Sequence, residues 1–259
     1  MRRPLSSPRH EPATETRGRL VLGIQPVREA VRRHGSALRE VLIEERGSPK
    51  LEALGRFASD SAVPRVRRVS RSELDRLARG VSHQGAAALA PELELVPLEQ
   101  LTADEHLIAL ALDSLQDPQN FGAVVRSAVA LGGGAVIFGE HASAPLTPST
   151  FRASAGAIEH ARLCRVRSLA ESLTTLRDAG ATVVGLDANA GVRLHEVDLR
   201  GPSVLVLGSE GEGLGRAVRK SCGVLATLGE LRSVDSLNAS VAAGIALYEA
   251  LNQRLKSAT

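Results

Sequence analysis

Two kinds of apolar pattern alternate along this chain. Continuous runs stand at residues 20–22, 41–43, 86–90, 106–112, 135–138, 182–186, 204–207 and 224–228. Strands covered on both faces read this way, as they do in a parallel sheet. Between the runs, apolar residues recur three and four apart. Val27, Ala30 and Val31 form one such set, and Leu51, Leu54, Phe57 and Ala58 form another. This spacing predicts amphipathic helices. A further helix is predicted behind Ser70 and Glu73, which stand at capping-box spacing. Others are predicted over residues 121–131, 147–155, 169–179 and 237–251. Residues 63–69 differ from the other strands, because apolar positions alternate with Arg and predict one wet, basic face. Strand and helix alternate throughout, so the fold class is α/β.

Composition divides the chain. Residues 91–105 are acidic, contain Pro91 and Pro97 and have no strong period. They read as a linker between a small α/β domain at 19–90 and a second domain at 106–259. Residues 1–18 are rich in Pro, Ser and Arg and lack the apolar centre of a secretory signal. They read as a disordered basic tail. No run of about 18 apolar residues is present, which argues against a transmembrane helix. Cys164 and Cys222 match no metal-ligand spacing and read as buried thiols in a reducing cytoplasm.

The net charge is only +3, but it is unevenly spread. Residues 1–90 carry 18 Arg/Lys against 10 Asp/Glu, and the remainder carries 14 against 19. A basic first third beside an acidic remainder implies contact with a polyanion. All of its basic residues but Lys50 are Arg, the better phosphate fork. Aromatic residues make up only 2% of the chain, so an aromatic stacking platform for bases is not expected.

Three loops at the carboxyl ends of predicted strands carry the candidate chemistry, where open α/β sheets bind ligands. The first, Asp117-Pro118-Gln119-Asn120-Phe121-Gly122, leads into a helix that holds Arg126 on an otherwise apolar segment. Asn120 and Arg126 stand six apart, so they do not stack on one helical face. They converge on one pocket if Asn120 lies in the turn before the helix, where it would equally serve as a cap. The second loop, Gly208-Ser209-Glu210-Gly211-Glu212-Gly213, lacks the acid of a dinucleotide fingerprint and the Lys of a P-loop. Its two carboxylates would repel phosphate, so a cationic or sugar-bearing ligand fits better. The third, Ser236-Leu237-Asn238-Ala239-Ser240, offers three capping residues where one suffices.

Together these segments resemble the three signature motifs of the SpoU branch of the SPOUT methyltransferases, which methylate the ribose 2′-hydroxyl of RNA. The resemblance runs through Asp117 to Arg126, Val206 to Leu214 and Ser236 to Ala242, within residues 106–254. Gly23-Ile24-Gln25-Pro26-Val27-Arg28-Glu29-Ala30 and His83-Gln84-Gly85 resemble the family's ribosomal-protein-like (L30e/L7Ae-like) RNA substrate-binding domain. The resemblance implies a trefoil-knotted methyltransferase domain with a parallel sheet, an exception to the rule that chains are unknotted. It implies S-adenosyl-L-methionine as cofactor, held by backbone at Gly208, Leu228 and Leu237, with Gly213 and Ser236 beside them. It also implies a homodimer with RNA as substrate. Asn120, Arg126, Glu210, Asn238 and Ser240 then form the catalytic set. No metal and no membrane enter this reading.

The implied chemistry suits those residue types. A ribose hydroxyl is a poor nucleophile and must be oriented in line with the sulfonium methyl and relieved of its proton. Arg126, which stays protonated, would grip the adjacent phosphate and polarise the hydroxyl, with that phosphate assisting proton removal. Glu210 would orient Arg126 or share the proton, and Asn238 and Ser240 would position the ribose or the arginine. The chain departs from the family between Gly229 and Val234, where a proline and a glycine-containing turn are usual. The N-terminal domain and Gln84-Gly85 point to a guanosine of large-subunit (23S) ribosomal RNA. A second reading keeps the chemistry and moves the target to transfer RNA or to an antibiotic-resistance site in ribosomal RNA. A non-catalytic RNA-binding or ribosome-assembly factor would keep only the fold, and it predicts lost motif residues.

Overall fold

The computed structural model describes residues 18–141, 143–144, 146–209, 211–229 and 237–257. Nearly all of the expected basic tail, residues 1–17, lies outside them.

The N-terminal part builds a four-stranded sheet from β1 (Arg19–Leu22), β2 (Glu40–Glu44), β3 (Val66–Val69) and β4 (Ala86–Ala90). The spatial order is β1-β4-β2-β3, and only β2 and β3 are parallel. Helices α1 (Ile24–His34) and α2 (Pro49–Asp60) share a core with Val21, Val41 and Ile43, while α3 (Arg71–Ala78) packs through Leu74 with Leu22 and Leu42. The Ser70 hydroxyl caps α3 by accepting the Glu73 N–H at 3.3 Å. β3 does not present the single basic face expected, because the consecutive Arg67 and Arg68 point to opposite faces: Arg67 bonds Glu40 and Glu73 of α3, and Arg68 forks onto Glu52 of α2.

The rest of the chain runs α4 (Leu98–Thr102), β5 (Ile108–Leu112), α5 (Pro118–Ala130), β6 (Ala135–Gly139), α6 (Pro148–Ala153), β7 (Arg162–Val166), α7 (Leu169–Asp178), β8 (Thr182–Leu186), β9 (Val192–Arg193), β10 (Ser203–Leu207), α8 (Arg216–Ser221), β11 (Val224–Thr227) and α9 (Ala239–Ser257). Its seven strands form one wholly parallel sheet in the order β7-β6-β5-β10-β8-β11-β9. β10 lies between β5 and β8, with Val206 opposite Ala111 on one side and Gly185 on the other. Every residue of β5 and β10 is buried, as their continuous apolar runs require. Leu110 and Leu112 share a core with Phe121 and Val124 of α5 and Ala243 and Leu247 of α9. Ala109 and Ala111 share the opposite core with Leu173 and Leu176 of α7 and Val218 of α8.

Residues 91–105, expected as a linker, are packed. The Val96 N–H donates to the Leu163 carbonyl at 2.8 Å, and Leu101 of α4 is buried on the α7 side of the sheet. α5 begins three residues before its expected start. Asp117 caps it, accepting the Asn120 N–H at 2.9 Å, and Pro118 takes the first helical position. Among the described residues, no helix is long and apolar enough to cross a membrane.

Candidate active site

β5, β10, β8 and β11 are parallel neighbours, so their carboxyl ends open on one edge of the sheet. Loops following β8, β10 and β11, with the start of α9, enclose a cavity of about 630 Å³. That volume is in the range of small-molecule sites. Gly208, Gly213, Leu228 and Leu237, each expected at a cofactor, line it. Ser236, the fifth expected there, lies outside the described residues, as do Glu210 and the residues of the atypical turn after Gly229.

The glycine loop owes its shape to a close self-contact. Ser209 and Gly213 exchange both backbone hydrogen bonds at 3.1 Å. A Cβ at Gly208 would lie 2.1 Å from the Gly213 carbonyl carbon, so only glycine fits there. Asp113, the residue after β5, holds both ends of this loop. Its N–H donates to the Leu207 carbonyl at 2.8 Å, and its Oδ2 accepts the Gly215 N–H at 2.7 Å. On the opposite wall Asp187, the residue after β8, pairs with Arg219 of α8 and accepts the Asn189 N–H at 2.8 Å. The sequence reading passed over both aspartates. Each ends an apolar strand run on the ligand-binding edge, and that position was the available signal.

The polar residues converge beside the cavity. Asn238 stands between Leu237 and Ala239, both of which line it. The Asn238 Nδ2 donates to the Asn120 Oδ1 at 2.9 Å. The Asn238 Oδ1 accepts the Ser240 N–H at 2.9 Å and the Ser240 hydroxyl at 2.6 Å. Asn238 therefore caps α9 with its oxygen and meets α5 with its nitrogen. Further along, Ser127 of α5 approaches Gly244 of α9 to 3.9 Å from where a Cβ would stand. The two helices thus start together and run side by side, which brings two positive helix termini to one place. Arg126 is exposed on α5 and has no hydrogen-bond or ion-pair partner among the described residues. The structure thus unites Asn120, Asn238 and Ser240, while Arg126 stands on the same helix with no bond to them. Among the described residues, no group of three or more His, Cys, Asp or Glu is placed to hold a metal ion.

Both thiols are partly or wholly shielded, and burial pushes Cys164 and Cys222 each up to about 11. They are therefore protonated near neutrality and are poor nucleophiles.

Comparison with known proteins matches residues 107–248 to the SpoU rRNA Methylase family and residues 20–96 to the family described as RNA 2'-O ribose methyltransferase substrate binding. The chain is 38% identical over 241 residues to the 23S rRNA (guanosine-2'-O-)-methyltransferase RlmB of Pseudomonas putida, spanning 90% of this chain and 96% of that one. It is 38% identical over 242 residues to an uncharacterized tRNA/rRNA methyltransferase of Mycobacterium sp. (strain KMS), spanning 91% and 76%. The crystal structure of the SpoU methyltransferase AviRb from Streptomyces viridochromogenes, in complex with AdoMet, is similar with a TM-score of 0.75 at 28% identity, covering 93% of this chain and 92% of that one.

Proposed function

This chain belongs to the SpoU rRNA methylase family, and we propose that it transfers the methyl group of S-adenosyl-L-methionine to a ribose 2′-hydroxyl of RNA, at a guanosine of 23S ribosomal RNA. The observation that carries this reading is the Asn120–Asn238–Ser240 cluster set directly beside a cavity of small-molecule size. A transfer between two substrates needs both a pocket for the donor and a polar site at its side for the acceptor.

The cavity suits that cofactor. Leu186, Leu207 and Leu214 supply apolar wall, the turns at Gly208 and Gly213 bring backbone groups close, and Glu212 favours a cation, the charge of Asp187 being met by Arg219, which also lines the cavity. When bound, the cofactor supplies an electrophilic methyl on its sulfonium. The chain's own residues then serve the acceptor. Asn238, held by Asn120 and Ser240, fixes the wall against which the ribose is oriented. Arg126 grips the neighbouring phosphate and polarises the hydroxyl, whose proton passes to that phosphate as the methyl is transferred, and Glu210 orients that guanidinium or shares the proton.

Residues 19–90 present the RNA and residues 106–259 carry the chemistry, joined through 91–105. The names of the Pseudomonas and Streptomyces relatives support the guanosine and the cofactor. We read the protein as cytoplasmic, and as a homodimer because Val241, Ile245, Tyr248 and Leu255 expose one apolar stripe along α9. We also read the chain as knotted, supported by α9 returning from beyond β11 to pack on α5.

The test is a map of ribose methylation across ribosomal and transfer RNA in a deletion strain. Loss at one 23S guanosine, restored in vitro by the purified protein and cofactor, is expected. Loss in transfer RNA moves the target, and an unchanged map overturns the reading. An Arg126→Ala protein that keeps normal turnover removes Arg126 from the mechanism.

A further inference from the structure

The two domains meet through a buried charged cluster. Arg19, in β1, is 7% exposed, and its guanidinium forks onto Glu159, with Nη1 at 2.7 Å from Oε1 and Nη2 bonded to Oε2. Its Nε donates to the Pro91 carbonyl at 2.7 Å, and the group lies 5.0 Å from the Phe151 ring centroid. His34, at the end of α1, lies 2.9 Å from the same Glu159 Oε2. The Glu159 side chain is 0% exposed. Burial alone would push its carboxyl up, but bonds from His34 and Arg19 outweigh that and hold it below the ordinary carboxylate value.

Other contacts surround the cluster. His160 Nε2 lies 3.0 Å from Glu29 Oε2, and Arg152 donates to the Ser82 carbonyl at 2.5 Å. Gly156, with φ of +85°, fits so tightly that a Cβ would stand 2.8 Å from Pro26 Cα and from Glu29 Cβ. Residues 148–160 therefore form a bridge that the N-terminal domain grips. The other side of the bridge meets α5. A Cβ at Gly122 would stand 2.5 Å from the Ala153 Cβ and 2.8 Å from the Thr150 carbonyl oxygen. α5 is the helix that carries Asn120 and Arg126.

Two domains on a loose tether have no use for desolvated charges at their contact. A buried ion pair adds little net stability, but its bonds are satisfied in one geometry and costly in others. We propose that Arg19 and Glu159 are positioning residues for methyl transfer, which hold the RNA-binding domain in one orientation on the 148–160 bridge and so set where RNA meets Asn120 and Arg126. The proposal rests on the RNA methyltransferase reading above.

The test uses the full chain and two variants. Glu159→Gln keeps the shape and removes the charge, while Arg19→Lys keeps the charge and loses the fork. Calorimetry gives the cofactor Kd, filter binding gives the 23S RNA Kd, and single-turnover transfer is measured with both substrates saturating. Amide exchange over α1 and residues 156–160 reports the docking contact. Both Kd values are expected to stay within about threefold while the transfer rate falls roughly tenfold or more, as misplacement of about 1 Å allows. Exchange at the contact should quicken in step. Wild-type rates in both variants overturn the proposal. So does a parallel loss of cofactor affinity, which would make the cluster a prop for the catalytic domain alone. A wild-type protein inert on every RNA instead overturns the underlying function, a result seen before any variant is compared.

Discussion

Asn238 and Asn120, 118 residues apart in the chain, share a hydrogen bond of 2.9 Å that ties the start of α9 to the first turn of α5. Asn238 uses both ends of its amide, since the oxygen takes Ser240 and the nitrogen gives to Asn120. These two roles separate by substitution. Asn238→Asp keeps the capping oxygen and loses the donor, so stability should stay near wild type. Asn238→Ala loses both and should cost about 1 kcal/mol in a denaturant melt. Both should slow methyl transfer by up to roughly a hundredfold, the effect that a misplacement of about 1 Å can have. A wild-type rate for the aspartate variant would leave Asn238 as a cap and nothing more.

The glycine loop makes a sharper prediction about the cofactor. Gly208→Ala drives a methyl into the Gly213 carbonyl carbon and must open the turn. Cofactor affinity should fall at least tenfold, about 1.4 kcal/mol, with RNA affinity unchanged. Asp113→Ala releases the Gly215 end of the same loop and should have a smaller effect of the same kind. Asp113→Asn retains an oxygen that can accept the Gly215 N–H and should recover most of it. Titration calorimetry checks all three, and unchanged affinity for Gly208→Ala would place the cofactor elsewhere.

The apolar face of α9 predicts an oligomer. Ile245 is 44% exposed and Tyr248 61% exposed, on a helix whose other face is already in the core. Light scattering should give the mass of a dimer for the wild type, and Ile245→Asp combined with Tyr248→Asp should give a monomer. A monomeric wild type at micromolar concentration would rule out the dimer.

Glu159 gives the acid limb of stability a definite sign. Bonds from His34 and Arg19 hold its folded carboxyl below the ordinary carboxylate value despite burial, so the folded state favours the ionised form. That contribution is present above the unfolded value and is lost as pH falls through the lower folded one. Between roughly pH 6 and pH 3 the wild-type melting temperature should drop more than that of Glu159→Gln. Parallel curves would show that Glu159 does not govern acid sensitivity.

The sheet could be read from the sequence where burial is complete. β5, β8 and β10 are covered on both faces, and their apolar runs admit few other interpretations. β7 was harder. Arg162 and Arg165 interrupt it because it is an edge strand, with Arg162 reaching out to Asp104 at 2.7 Å. α8 is six residues long and buries only Val218, too little to show a period. At the site, the motif residues were visible, but the partnerships among them were not. The start of α5 is expected three residues too late, although Asp117-Pro118, a cap followed by the residue best suited to the first turn, marks it. The Asn120–Asn238 bond is not legible, because nothing in local spacing reports a contact between residues 118 apart in the chain.

The position of β10 also governs when this protein becomes an enzyme. β5 and β8 cannot pair with each other, because β10 occupies the place between them and is made after both. Asn120 then waits for Asn238, which follows β11. Such a topology is rich in non-local contacts, and folding that depends on them is slow. A nascent fragment that stops short of α9 lacks Leu237 and the Asn120–Asn238 bond, so with the site proposed above the growing chain is expected to stay catalytically silent until that helix has been synthesised and laid against α5.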